Sequence, residues 1–162
     1  MKHLIAALTV TAALSGFAFG QTPGQQTPGV QGQPPAAAAA IYEAVVRYQI
    51  KSWNLGAATY CIRMNGEDAD KEFLRKLSPL PVKGASECEE KQRKLTMSII
   101  DKHSKKRSVI FGVGAIQWRK DTEADVEGGY LCGSQCMAGG IYQVLLDGTQ
   151  WRVTAFKPSL SE

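Results

Sequence analysis

Two cysteines separated only by Gly133, Ser134 and Gln135, in a stretch where apolar and polar residues alternate, constrain this chain more than any other feature. Cys132 and Cys136 have the spacing of cross-strand neighbours at a hairpin tip, where facing residues lie about 4.5–5.5 Å apart at Cα, within reach of a disulfide. Such a bridge sets Val126 opposite Tyr142 and Gly128 opposite Gly140. Two turns extend the register. Asp147-Gly148 is a two-residue turn signal that sets Val144 against Trp151, Tyr142 against Val153 and Gly140 against Ala155. A three-residue loop at 120–122 sets Trp118 against Ala124, Ile116 against Val126 and Gly114 against Gly128, with Arg119 facing Glu123 as an opposite-charge pair.

These registers agree. One face collects Ile116, Trp118, Ala124, Val126, Tyr130, Tyr142, Val144, Leu146, Trp151 and Val153, while the other includes Glu123, Asp125, Glu127, Gln143 and Arg152. A slip of one residue would scramble that separation. The same register aligns Gly114, Gly128, Gly140 and Ala155 on the apolar face. Glycine inside strands costs stability, so the row calls for a cause. One cause is a sharp bend or the close approach of a helix. The other is a groove for a ligand, flanked by Trp118, Tyr130, Tyr142 and Trp151.

The remaining cysteines, Cys61 and Cys88, then pair with each other, closing a loop of 26 intervening residues. In the chain-entropy account such a bridge stabilises by roughly 3 kcal/mol. A zinc site from all four cysteines lacks the paired C-x-x-C knuckles it needs, and C-x-x-x-C departs from the redox spacing of thioredoxin-like proteins. Disulfides require an oxidising compartment, and the N-terminus supplies the route there. Lys2 and His3 precede the apolar residues 4–14, and Ala18 and Gly20 fit a cleavage site before Gln21, so residues 1–20 read as an export signal. Its apolar core is too short to span a bilayer of roughly 30 Å. The expected location is periplasmic or secreted, with no transmembrane segment. Residues 21–40 carry no charge and repeat Gln-Thr-Pro-Gly, the composition of a disordered linker, acting as a spacer or as a proline-motif ligand. Residues 41–162 have the length of one domain.

Within that domain the patterns give a helix over 38–53, with Ile41, Ala44, Val45 and Tyr48 as its apolar stripe, and a strand over 59–64. A short helix over 71–77 follows, capped by Asp68 or Asp70 and ended by Pro79 and Pro81. Strands over 95–100, 108–118, 123–132, 137–146 and 150–156 complete an α+β domain, a helix packed on a curved antiparallel meander. The run W-x(5)-A-x-V-E-G-G-Y-x-C-G-x-x-C-x-A-G-G-x-Y-x-V from Trp118, closing with Trp151, Arg152 and Val153, resembles small exported bacterial proteins of unknown function. Their architecture is similar to nuclear-transport-factor-like or cystatin-like folds. The resemblance covers about residues 42–157. It implies a helix cradled by a curved sheet and brings no catalytic residue.

Charge narrows the function further. Without Lys2 the chain keeps 18 basic and 15 acidic residues, too even a balance for nucleic acid. Lys102, Lys105, Lys106 and Arg107 cluster in Lys-His-Ser-Lys-Lys-Arg, either as a solvated loop or as a site for an anionic polymer. The inferred inner face has neither carboxylate nor histidine to act as a general base; His103 sits in the basic run and Ser134 has no histidine near it in sequence. The chain therefore reads as an exported non-enzymatic domain without cofactor or metal, binding a partner protein or a small apolar ligand or serving structurally in the envelope. A pocket enzyme of nuclear-transport-factor-like fold acting on a small apolar substrate, and a binder of anionic polymers, are the alternatives. No motif specifies the ligand or an oligomeric state.

Overall fold

The computed structural model describes residues 35–159. Alanine is the strongest helix former, and proline fits the first helical turn, where its missing N–H has no partner to lose. Helix α1 accordingly runs over Pro35–Trp53 and takes in residues 35–40 of the segment assigned to the linker. The export signal and residues 21–34 lie outside the described residues. Ile41, Val45, Val46, Gln49 and Ile50 form the buried side of α1; Ala44 and Tyr48 lie at its edges. Helix α2, Lys71–Lys76, is capped by Asp70, whose carboxylate accepts the Phe73 N–H at 2.8 Å.

Among the described residues nine strands share one sheet: β1 (Thr59–Met64), β2 (Glu67–Asp68), β3 (Val82–Gly84), β4 (Cys88–Arg93), β5 (Thr96–Asp101), β6 (Ser108–Lys120), β7 (Glu123–Gly133), β8 (Cys136–Asp147) and β9 (Gln150–Pro158). From β6 to β9 the strands form the expected antiparallel meander. The sheet as a whole is mixed, because β1 runs parallel to both β6 and β3. The long crossover from β1 to β6, through α2 and the β4–β5 hairpin, permits a parallel pairing that a tight turn cannot make.

One face of the sheet, the inner face, packs under α1: Ile62, Phe111, Val113, Val126, Tyr142 and Val144 meet Ile41, Val45, Val46 and Ile50. The opposite, outer face is covered at one end by the β4–β5 hairpin. There Cys61, Ala85, Cys88, Ile99 and Ile110 form a second cluster with Leu131 against it. Two disulfides are present, Cys61–Cys88 and Cys132–Cys136, with Cα separations of 6.2 and 5.2 Å. Among the described residues, no helix is long and apolar enough to cross a membrane.

The large side chains sort to the two faces as the sequence indicates, while Gly114, beside Glu127, and Ala155, opposite Gln143, fall on the outer face and not the apolar one; Trp118 opposite Ala124, Ile116 opposite Val126, Val126 opposite Tyr142 and Gly128 opposite Gly140 are as expected. Other pairings differ because irregularities shift the phase. One between Val113 and Ile116 puts Val113, not Gly114, opposite Gly128. Another puts Lys120 opposite Glu123, while Arg119 turns to the Asp125 carboxylate. The β8–β9 turn is Gly148-Thr149, with Gly148 at φ 63°, the left-handed conformation that the first loop position of such a hairpin demands. Leu146 therefore faces Trp151 and Val144 faces Val153. A further shift after Val144 sets Tyr142 against Phe156, Gln143 against Ala155 and Gly140 against Pro158. Ala155 thus leaves the glycine row.

Candidate functional site

The Gly-Gly dipeptides of β7 and β8, Gly128-Gly129 and Gly139-Gly140, face each other in register. Successive strand residues point to opposite faces, so each dipeptide gives one glycine to each face. On the inner face stand Gly128 and Gly140. A Cβ on Gly128 would lie 2.8 Å from the Gly112 carbonyl, 3.0 Å from the Tyr142 ring and 3.1 Å from Gln49 Nε2. One on Gly140 would collide with the Lys157 carbonyl and reach the Phe156 ring at 2.8 Å.

What fills this face is a helix side chain absent from the predicted stripe. Gln49 is fully buried, and its Nε2 donates to the carbonyls of Gly112 at 3.1 Å and Gly129 at 3.3 Å and to the Tyr142 hydroxyl at 3.3 Å. Trp53 Nε1 also donates to that hydroxyl, at 3.4 Å. Burial pushes the Tyr142 phenol above its ordinary pKa. The aromatic candidates are thereby divided. Tyr142 stacks on Phe156 with centroids 4.7 Å apart, Tyr130 lies 4.9 Å from Trp53, and Trp118 meets Trp151 edge-on at 5.6 Å.

On the outer face, Gly112, Gly129 and Gly139 stand directly opposite one another across β6, β7 and β8. A Cβ on Gly112 would meet nothing within 4 Å, and one on Gly139 would approach only the Gly128 carbonyl, at 3.8 Å. Gly129 has no such room: its Cβ would collide with the Ala138 carbonyl. The missing side chains leave a groove of about 820 Å³. Ile110, Leu131 and the 59 % exposed Met137 border it, while Arg63 and Glu127 supply its charged side chains. Of the residues proposed from sequence, Gly114, Gly128 and Tyr130 line the groove, the last with its ring turned inward onto Trp53 and Phe111. Gly140, Trp118, Tyr142 and Trp151 do not line it.

The chain matches no family model, no curated protein and no solved structure. The geometry alone therefore carries the functional argument. Of the two disulfides, Cys61–Cys88 ties β1 to β4 under the covering hairpin, and Cys132–Cys136 closes the β7–β8 tip; none of the four cysteines lines the groove.

The basic loop lies elsewhere. Lys102, Lys105, Lys106 and Arg107 are exposed between β5 and β6, and two of the loop's side chains face acids: Lys105 meets Glu89 at 3.0 Å and His103 meets Glu87 at 3.6 Å. Its anchor is Asp101, a carboxylate without solvent exposure that accepts the His103 N–H at 2.9 Å, the Ser104 N–H at 2.7 Å and the Lys83 ammonium at 2.7 Å. These donors, the lysine foremost, hold the Asp101 carboxyl well below the usual carboxylate range.

Gln49, Arg63, Gly112, Gly129 and Gly139 are site residues that sequence reasoning missed, as are the bordering Ile110, Leu131 and Met137. A signal for the glycines exists. Two facing Gly-Gly pairs necessarily put glycine on both faces, and attention to the apolar face alone hides the second row.

Proposed function

We propose that this domain is an exported, non-enzymatic binding module that takes a small, elongated apolar ligand in the outer-face groove. The observation that carries this reading is the in-register row Gly112, Gly129 and Gly139, open at its first and last positions and bordered by Ile110, Leu131 and Met137. The groove's size lies within the range of about 300–1,000 Å³ typical of small-molecule sites. Export rests on the N-terminal signal pattern and is supported by the two disulfides. A relation to nuclear-transport-factor-like or cystatin-like domains is supported by the long helix α1 packed on one face of the sheet. The space beneath that helix, where a pocket enzyme of such a fold would bind its substrate, is occupied by Gln49, Tyr142 and Phe156.

Titration of the full chain with the neutral apolar dye Nile red tests the proposal. Gly112→Leu and Gly139→Leu should each weaken binding at least about tenfold while changing stability by no more than about 0.5 kcal/mol, as surface substitutions do. Unchanged binding in both variants, or no binding by the native chain, would refute it.

A further inference from the structure

The groove has a direction. Pairing across the sheet puts Arg63, Gly112, Gly129 and Gly139 in one row over β1, β6, β7 and β8. At the far end the Ser159 N–H donates to the Gly139 carbonyl at 2.8 Å. With strands about 4.8 Å apart, the row from Arg63 to Gly139 spans about 14 Å. Its two ends differ chemically. Arg63 is exposed, lines the groove and takes part in none of the ion pairs among the described residues. Asp68, its cross-strand partner, attracts Arg63 without forming a contact ion pair, and its carboxylate is taken up by Ser86, whose backbone N–H donates to it at 2.6 Å and whose hydroxyl donates to it as well. At the opposite end the described lining residues Met137, Pro158 and Ser159 are uncharged. Glu127 stands off the row, two residues beyond Gly129 on β7 with its side chain beside Gly114, where it repels an anion.

We infer that the ligand is a single-chain amphiphile with a carboxylate head, an inference that rests on the groove being the binding site. The head pairs with Arg63, because a guanidinium presents two parallel N–H donors to a carboxylate. The alkyl chain lies along the glycine row against Ile110, Leu131 and Met137. An extended chain of about ten to twelve carbons matches the span of the row at the ~4.8 Å strand spacing.

Calorimetric titration of the full chain with decanoate and with decanol, both below their aggregation limits, tests the head group separately from the groove. Decanoate should bind at least about tenfold more tightly than decanol, the order expected of a charge-assisted pair. Arg63→Gln should abolish that preference while leaving decanol binding unchanged, and Gly112→Leu should weaken both ligands. Equal affinity for the two in the native chain, or a preference that survives Arg63→Gln, overturns the carboxylate inference. The groove reading survives that result if Gly112→Leu still blocks decanol. Should Gly112→Leu and Gly139→Leu leave both ligands bound as before, the groove reading fails and the inference with it.

Discussion

Gly128 and Gly129 are adjacent in the chain, yet the two faces of the sheet use them differently. On the inner face the absence of a side chain at Gly128 admits the Gln49 amide and the Tyr142 ring, and the space is consumed by packing. On the outer face Gly129 belongs to a row whose neighbours Gly112 and Gly139 are left uncovered. The inner face is held by a continuous apolar cluster beneath α1. The outer face is closed at one end only, by a hairpin secured through a disulfide and a buried carboxylate rather than by a large core. Glycine in a strand thus serves close packing where an element lies above it and an open floor where none does.

The largest expected effect lies in that covalent hold. Replacing Cys61 and Cys88 by serine should lower stability by about 2–5 kcal/mol, since the bridge closes the long β1-to-β4 segment and secures the outer cluster. Denaturant unfolding of the oxidised native chain and the variant measures it. A loss below about 1 kcal/mol would mean that the hairpin holds its place through the small outer cluster alone.

Next in size is the inner glycine. Gly128→Val drives a branched side chain into Gln49, Tyr142 and the Gly112 carbonyl, and should cost about 1–3 kcal/mol as an overpacked core position does. A neutral result would show that α1 can lift from the sheet, and the contrast between the faces would lose its physical basis.

Much of this contrast is legible in the chain, and what escapes has identifiable causes. Alternation sorted Trp118, Val126, Tyr142 and Val153 to the helix side, and the Asp70 cap and strand β1 follow from local chemistry. Partner identity was lost where a strand changes phase. Val109, Phe111 and Val113 are core residues at odd positions, whereas Ile116 and Trp118 pack on the same core from even ones. Likewise Trp151 and Val153 give way to Phe156. Those switches mark the irregularities in β6 and β9, but a single assumed phase conceals them. Strand β4, with the sequence Cys-Glu-Glu-Lys-Gln-Arg, has no alternation to detect because it pairs only with β5. The parallel pairing of β1 with β6 depends on a crossover that no local pattern encodes. Gln49 hides as a polar residue four positions after Val45, in the buried line of α1.

The buried carboxylate sharpens the comparison through pH. Asp101 titrates below its unfolded value, so its contribution is complete above the ordinary aspartate pKa of about 4 and disappears as pH falls from there toward the folded value. Asp101→Asn should therefore lower the melting temperature at pH 7, with the difference from the native chain constant down to about pH 5 and shrinking below about pH 4. A difference that persists undiminished at pH 2.5 would place the effect in packing rather than charge. Among the described residues Asp101 is the one buried carboxylate, and it lies away from Gly128, so Gly128→Val should show the same deficit across this range.

The smallest expected effect is the most discriminating. Gly112→Val introduces the same side chain as Gly128→Val, onto the strand facing Gly129, but toward open space rather than toward α1. Valine has the higher strand propensity and restricts the unfolded chain more than glycine does, while the outer-face position offers little to pack against. The two tendencies leave a net change within about 0.5 kcal/mol, of either sign, in the same unfolding measurement. A cost comparable to that of Gly128→Val would mean that backbone flexibility at the β6 irregularity, and not room for a ligand, is what Gly112 provides. A near-zero cost with Nile red binding lost would leave the vacant row without a structural reason to exist, and binding as the reason for it.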